Sequence, residues 1–152
     1  MLVIVVIACV VALLVVVEVK RRRDQEDELA RHTITPEDLH TLLLSGRDVA
    51  LFDVRLPLDL LGNAVVIPGA KRLDPDEVIA HPSLIPTDRD AVVYCTCPSD
   101  ETSRAVLHRA LAMGLERIRF LRGGLEGWKS RGYAVEPYDK PFRLRSGSSS
   151  AA

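Results

Sequence analysis

The hydrophobic and polar positions of this chain divide it into four regions. Residues 1–17 contain no charged side chain and are almost entirely Val, Ile, Leu and Ala, and this apolar region extends to residue 19 with one glutamate near its end. Residues 20–32 are rich in charge, and residues 33–138 alternate short apolar runs with helical patterns. Residues 139–152 include Ser146-Gly147-Ser148-Ser149-Ser150, a composition typical of a flexible tail.

The first region, residues 1–19, has the length of a transmembrane helix. Seventeen to nineteen residues at about 1.5 Å each span about 26–29 Å, just enough for a hydrocarbon core of about 30 Å. The alternatives are a buried strand pair and a cleaved signal peptide, but the run lacks a positive leader and a small-x-small cleavage site at its end.

The second region, residues 20–32, predicts the orientation of that helix. Lys20-Arg21-Arg22-Arg23 directly follow the apolar run, and no Lys or Arg precedes it. The positive-inside rule then places this charged juxtamembrane neck and all later residues in the cytoplasm. The sequence therefore predicts a single-pass protein of the inner (plasma) membrane.

The third region, residues 33–138, has the pattern of one α/β domain. Thr35-Pro36-Glu37-Asp38 is a helix start with a hydroxyl cap, a first-turn proline and two acids, and Ser45-Gly46 ends this helix. We expect further strands over 49–54, 91–94 and 117–121, a short helix opened by Pro75, and helices over 102–112 and 125–130. The alternation predicts three layers, with helices on both faces of a mainly parallel central sheet.

Two of the three cysteines lie in one loop of this domain. The apolar run Ala91–Tyr94 leads directly into Cys95, Cys97 comes two residues later, and a helical pattern follows. Both thiols are thus expected at the carboxyl end of a strand and the amino end of a helix, where N–H groups and the helix dipole favour a thiolate. A nucleophilic sulfur is the leading functional hypothesis.

Composition and spacing narrow the other possibilities. A net charge of −1 gives no argument for a nucleic-acid partner. A Cys-x-Cys pair can bind a soft metal such as Cu(I), but no neighbouring cysteine or methionine completes a site, and the four histidines have no ligand spacing. We therefore expect neither a metal nor another cofactor.

Four motifs in order resemble the rhodanese-like domain family, over residues 33–136. They are Asp53-Val54-Arg55, Ile67-Pro68-Gly69-Ala70, Val92-Val93-Tyr94-Cys95, and Leu121-Arg122-Gly123-Gly124 with Trp128. The loop from Cys95 to Ser103 further resembles the Cys-x-Cys-Pro loop of a bacterial subgroup often attached to membrane segments. The resemblance implies a sulfurtransferase in which a cysteine accepts a sulfane sulfur from thiosulfate or a persulfide and passes it to a thiophilic acceptor.

The resemblance also implies roles for individual residues. Cys95 takes the family position of the catalytic cysteine when counted from the strand, whereas Cys97 fits a loop of ordinary length when counted from the helix end. We favour Cys95 as persulfide carrier and Cys97 as the resolving thiol. The expected loop and pocket residues are Thr96, Pro98, Ser99, Asp100, Glu101, Thr102, Ser103 and Arg104; Asp53, Arg55, Gly123, Gly124 and Trp128 are the expected structural motif.

The loop departs from the family pattern in its charge. The family loop carries glycine and basic side chains, but here Asp100 and Glu101 occupy it and the first basic residue is Arg104. An acidic rim repels a dianion such as thiosulfate and opposes thiolate formation. A persulfide on a protein or small thiol is therefore the better donor, with a thiol as acceptor.

Two alternative functions follow from the same residues. A catalytically weak rhodanese-like module that binds a partner or senses redox state at the membrane is favoured by the missing basic residue. The second alternative function is a relay that passes a metal ion or electrons through the Cys-x-Cys pair. A cysteine phosphatase needs an arginine about six residues after the nucleophile, and positions 101 and 103 hold glutamate and serine, which argues against that activity.

Overall fold

A computed structural model describes residues 1–96 and 101–139 of the chain. The chain divides into two compact units, one over Met1–Thr33 and one that begins at Ile34. The predicted tail from residue 140 onward lies outside the described residues.

The first unit is dominated by a single helix, α1 (Leu2–Arg31). The charged segment 20–32, predicted as a neck, is helical as far as Arg31. Over the described residues, no helix is both long and apolar enough to cross a membrane. The predicted transmembrane helix over residues 1–19 is therefore not supported by the described part of the chain.

The second unit has the predicted α/β architecture. Its helices are α2 (Pro36–Leu44), α3 (Pro57–Gly62), α4 (Pro75–Ala80), α5 (Glu101–Ala112) and α6 (Gly124–Ser130), with a 3-10 helix at Pro82–Leu84. Its strands are β1 (Thr33–Ile34), β2 (Val49–Asp53), β3 (Val65–Val66), β4 (Lys71–Arg72), β5 (Asp90–Tyr94), β6 (Ile118–Leu121) and β7 (Glu136–Pro137).

The strands form a mainly parallel central sheet. The order is β1-β6-β5-β2-β4, and β2 pairs in parallel with both β4 and β5, while β5 pairs in parallel with β6. β3 and β7 form a separate antiparallel pair. Because β2, β4, β5 and β6 run the same way, their carboxyl ends lie at one edge of the sheet.

The longer elements lie where the sequence predicts them. Thr35 caps α2, its side-chain oxygen accepting from the Asp38 N–H at 3.1 Å, and Ser45 ends the helix. β2, α5, β6 and α6 differ from the expected ranges by one residue at one end. No sequence pattern predicted α3, the 3-10 helix or the two-residue strands, because these elements are too short to show a period.

Both faces of the sheet are covered. Leu51, Val92 and Tyr94 belong to one buried cluster with Leu39 from α2 and Trp128 from α6. Phe52 and Val93 alternate with these residues along β2 and β5, so they point to the opposite face, and they too are buried. The predicted three-layer arrangement accounts for this burial.

A buried ion pair joins the end of β2 to the start of β3 and the residues just before it. Arg55 and Asp53 have fully buried side chains; the Arg55 Nε lies 2.9 Å from both Asp53 carboxylate oxygens, and Nη2 lies 2.6 Å from Oδ2. The remaining guanidinium donors reach the carbonyls of Asn63 at 2.8 Å and Val65 at 2.7 Å. The pair is therefore an architectural link between two backbone segments.

We expect Arg55→Met to lower the free energy of unfolding by about 3–5 kcal/mol, because it leaves the Asp53 carboxylate buried without its partner. Urea unfolding of the purified chain measures this loss. Arg89→Met is the matched control, since Arg89 pairs with Asp48 at 2.7 Å on the exposed surface. Equal effects of the two substitutions would contradict the structural role of Arg55.

Candidate functional site

The candidate site lies at the edge of the sheet where the parallel strands end. β2 ends at Asp53, β4 at Arg72, β5 at Tyr94 and β6 at Leu121. Ligands of open parallel sheets bind in the crevice beyond these carboxyl ends. Cys95 is the first residue after β5, so the structure places it at this edge.

The backbone of Cys95 is fixed by hydrogen bonds on both sides of the residue. The carbonyl of the preceding Tyr94 accepts from the Val54 N–H at 2.9 Å, and the carbonyl of Cys95 accepts from the Leu125 N–H at 2.9 Å. Cys95 is only 1% exposed and is not part of a disulfide. The thiol therefore lies on a rigid support formed by β2, β5 and α6.

Gly124 allows α6 to approach Cys95 this closely. Its φ is +51°, and a Cβ built there would lie 1.9 Å from the Cys95 carbonyl oxygen. Gly123 also has a positive φ of +70°, a backbone conformation that glycine adopts without steric cost. The two glycines predicted as a structural motif thus bring the start of α6 against the backbone of the candidate nucleophile.

The predicted loop is described at its two ends. Thr96 follows Cys95, and its Oγ1 is buried with no hydrogen-bond partner among the described residues. Cys97, Pro98, Ser99 and Asp100 lie outside the described residues. Glu101 begins α5, which places a helix amino terminus after the loop.

The first residues of α5 differ in their surroundings. Thr102 is half-buried. Ser103 is fully buried, and among the described residues its hydroxyl has no hydrogen-bond partner. Arg104 is exposed, with its guanidinium carbon 5.9 Å from the centre of the Phe120 ring. Ser103 is therefore the buried polar side chain at the start of α5.

Two contacts at this edge were not foreseen from the sequence. The buried Tyr94 hydroxyl accepts a hydrogen bond from the Ile67 N–H at 3.2 Å, and burial, with the Asp53 charge nearby, raises the pKa of Tyr94. Tyr94 is therefore neutral at physiological pH. The Arg72 Nη1 donates to the Arg55 carbonyl at 2.7 Å, which ties the end of β4 to the segment after β2. Of these features, the sequence indicated only the burial of Tyr94, because this residue ends the apolar run Ala91–Tyr94.

The remaining predicted residues support this edge rather than line it. Trp128 is buried, and its Nε1 donates to the Ala134 carbonyl at 2.8 Å. Its indole also packs against Tyr133, with 4.9 Å between ring centres. Among the described residues, no group of three or more His, Cys, Asp or Glu side chains is arranged to hold a metal ion.

We expect Gly124→Ala to destabilise the domain by about 2–5 kcal/mol, because an L side chain is strained at this φ and its Cβ overlaps the Cys95 carbonyl. Gly46→Ala is the control, since Gly46 also has a positive φ but no atom within 4 Å of a built Cβ. Thermal unfolding of both variants measures the difference. A Gly124→Ala chain as stable as Gly46→Ala would contradict the close approach.

The chain matches the family model described as "Rhodanese-like domain" over residues 35–131. It is 32% identical over 102 residues to a protein named "Sulfurtransferase" from Allochromatium vinosum, a match that covers 67% of this chain and 92% of that protein. It is also 35% identical over 98 residues to "Probable adenylyltransferase/sulfurtransferase MoeZ" from Mycobacterium tuberculosis, covering 63% of this chain but only 24% of that longer protein.

A solved structure has the same fold. The rhodanese-like domain of the Alr3790 protein from Anabaena sp., solved by NMR in solution, superposes with a TM-score of 0.58 at 22% identity, over 80% of this chain and 86% of the other. The family match covers more than half of the sequence and includes every element that supports Cys95, from α2 to α6. This chain belongs to the rhodanese-like domain family.

Proposed function

We propose that the protein is a sulfurtransferase that carries a sulfane sulfur as a persulfide on Cys95. The placement of Cys95 carries this proposal, because the residue lies at the carboxyl edge of the sheet and shortly before the amino terminus of α5. Family membership and the relatives named as sulfurtransferases support the same reaction class.

The proposed reaction has two displacement steps. The Cys95 thiolate attacks the outer sulfur of the donor, the donor's sulfur–sulfur bond breaks, and its remainder leaves with the electron pair, as a thiolate from a persulfide or as sulfite from thiosulfate. A thiophilic acceptor then attacks the outer sulfur of the Cys95 persulfide and regenerates the thiolate. Cys97, two residues away in sequence, is our proposed internal acceptor and resolving thiol.

We propose a persulfide rather than thiosulfate as the preferred donor. The loop sequence from Cys95 to Ser103 includes Asp100 and Glu101 but no lysine or arginine. Two carboxylates repel a dianion more strongly than a singly charged or neutral persulfide. A thiol of a protein or small molecule is the corresponding acceptor.

A non-catalytic module that binds a partner or senses redox state is the second candidate. The observation in its favour is that Cys95 is 1% exposed, because a nucleophile must be reached by its substrate. The missing basic loop residue favours it as well. The sulfur-loading experiment below distinguishes the two functions.

We expect the complete chain to gain one sulfur atom from a low-molecular-weight persulfide, and to gain it more slowly from thiosulfate. Intact-mass spectrometry measures the added sulfur, and cyanide reverses it by removing the outer sulfur. Cys95→Ser is expected to abolish loading, whereas Cys97→Ser is expected to load and then discharge more slowly to an acceptor thiol.

Cys9→Ser is the matched control, because Cys9 is the remaining cysteine of the chain and belongs to α1 in the first compact unit. Loading that is lost in Cys97→Ser and retained in Cys95→Ser would reverse the assignment of the two thiols. A folded wild-type chain that gains no sulfur from either donor would exclude the sulfurtransferase and leave the binding module.

Membrane attachment and the cytoplasmic orientation of the domain stay predictions from the sequence. Two observations support membrane attachment. The large apolar side chains of α1 between Val10 and Val17 are exposed, and the basic residues Lys20–Arg23 follow them in the sequence. Such a contiguous apolar surface is rare on a monomer unless it binds a partner or a membrane.

We expect the complete chain, expressed in bacteria, to sediment with inner membranes and to resist carbonate extraction, while a chain lacking residues 1–19 stays in the supernatant. Added protease distinguishes the sides, since a domain facing the cytoplasm is protected in intact spheroplasts. Release of the complete chain by carbonate would exclude an integral anchor.

A further inference from the structure

Three exposed leucines occur close together in the sequence at α3. Leu56 caps this helix, and Leu58 and Leu61 lie within it. Leu58 and Leu61 are three positions apart and therefore share one face of the helix, and Leu58 is 74% exposed. Single exposed apolar side chains are common on proteins, but a group of them indicates a surface that binds another molecule. We call these three side chains the leucine surface.

The leucine surface lies at the same edge of the sheet as Cys95. α3 follows β2, whose last residue, Asp53, is aligned with Tyr94 at the end of β5. Neighbouring strands of a sheet are about 4.8 Å apart, and Cys95 is the residue after Tyr94. A molecule that binds to α3 is therefore beside the strand end that carries the candidate nucleophile.

Hydrogen bonds connect α3 to the backbone of Cys95. The Asn63 Nδ2, at the carboxyl end of α3, donates to the Glu126 Oε1 in α6 at 3.2 Å. The N–H of Leu125, the residue before Glu126, donates to the Cys95 carbonyl at 2.9 Å. Because α6 holds both α3 and the backbone of Cys95, a partner docked on α3 takes a fixed position relative to that backbone.

The charge beside the leucine surface is negative. Segment 56–66 carries Asp59 and no basic residue, and segment 133–139 carries Glu136 and Asp139 and no basic residue. The two segments are neighbours, because β3 pairs with β7. This surface therefore attracts a basic ligand, and it repels anionic ligands such as nucleic acids and acidic lipids.

Two basic side chains near α3 leave this acidic region in place. The Lys129 Nζ donates to the Glu126 Oε1 at 3.0 Å, so the charges of this pair offset each other. Arg72 is at the amino end of α3, where its Nη1 donates at 2.7 Å to the carbonyl of Arg55, the residue before Leu56. The acidic region lies beside the carboxyl end of the helix, where β3 follows it.

We propose that the leucine surface binds the protein that delivers the sulfur, through a segment in which large apolar side chains accompany lysine or arginine; this inference rests on the proposed sulfurtransferase function. The leucines bury the apolar side chains of that segment, and the nearby carboxylates select its basic ones. Docking beside Cys95 raises the local concentration of the delivered persulfide. The Cys95 thiolate then takes the outer sulfur, and the cysteine of the partner leaves as a thiolate.

The test measures sulfur loading of the complete chain from three donors. They are a cysteine-persulfide peptide rich in leucine and lysine, the same peptide with glutamate in place of lysine, and a low-molecular-weight persulfide. Fluorescence anisotropy of the basic peptide, with serine in place of its cysteine persulfide, measures binding without transfer. The variants are Leu58→Ser with Leu61→Ser, and Asp59→Asn. Leu44→Ser is the matched control, because Leu44 is 76% exposed at the end of α2, outside the leucine surface.

We expect the basic peptide to have a KM about tenfold below that of the acidic peptide, because complementary charge favours one and repels the other. The double variant should raise the KM for the basic peptide about tenfold relative to the KM for the small persulfide, as expected when apolar anchors of an interface are removed. Asp59→Asn should weaken the preference for the basic peptide, and Leu44→Ser should retain all wild-type values. Thermal unfolding checks that the serine variants remain folded.

Equal KM values for the two peptides, or a folded double variant with the wild-type KM, would overturn the inference. Tighter peptide binding after removal of residues 140–152 would overturn it as well, because the surface would then belong to the tail of this chain. A dimer in sedimentation that the double variant dissociates would assign the surface to a second copy instead. If the wild type loads no sulfur from any donor, the proposed function is excluded, whereas peptide binding that the double variant loses still supports the docking surface.

Discussion

The backbones of Gly124 and Cys95 meet with no room for a side chain between them, and the site depends on this approach. The carbonyl of Cys95 is held by the Leu125 N–H at 2.9 Å. Any displacement of α6 would therefore move the residue that we assign as the sulfur carrier. The site requires glycine at this position for a steric reason, which explains how a motif far along the sequence belongs to the thiol loop.

The buried pair of Asp53 and Arg55 supports the same edge from the other side. The Val54 N–H between these residues donates to the Tyr94 carbonyl at 2.9 Å, so the segment that contains the pair also holds the residue before Cys95. The guanidinium group carries the constraint on to the carbonyls of Asn63 and Val65. Two fully buried motif residues outside the loop thus help to determine where the thiol lies.

The sequence was sufficient for those parts of the fold whose signals are local. The Thr35 cap, the continuous apolar run of β2 and the glycines at the start of α6 each follow from the chemistry of a few neighbouring residues. The burial of Arg55 could not be predicted this way, because its partners at 63 and 65 are brought to it only by folding. Similarly, the helical pattern that includes Ser103 does not show whether its hydroxyl finds a partner.

The charge of the loop sequence bears on which sulfur donor the proposed reaction uses. A lysine or arginine attracts a dianion over several ångströms, whereas the carboxylates of Asp100 and Glu101 repel it over the same range. Free thiosulfate is therefore a poor donor for the proposed reaction. A persulfide delivered by a binding partner avoids this repulsion, since contacts outside the loop can bring it to the thiol.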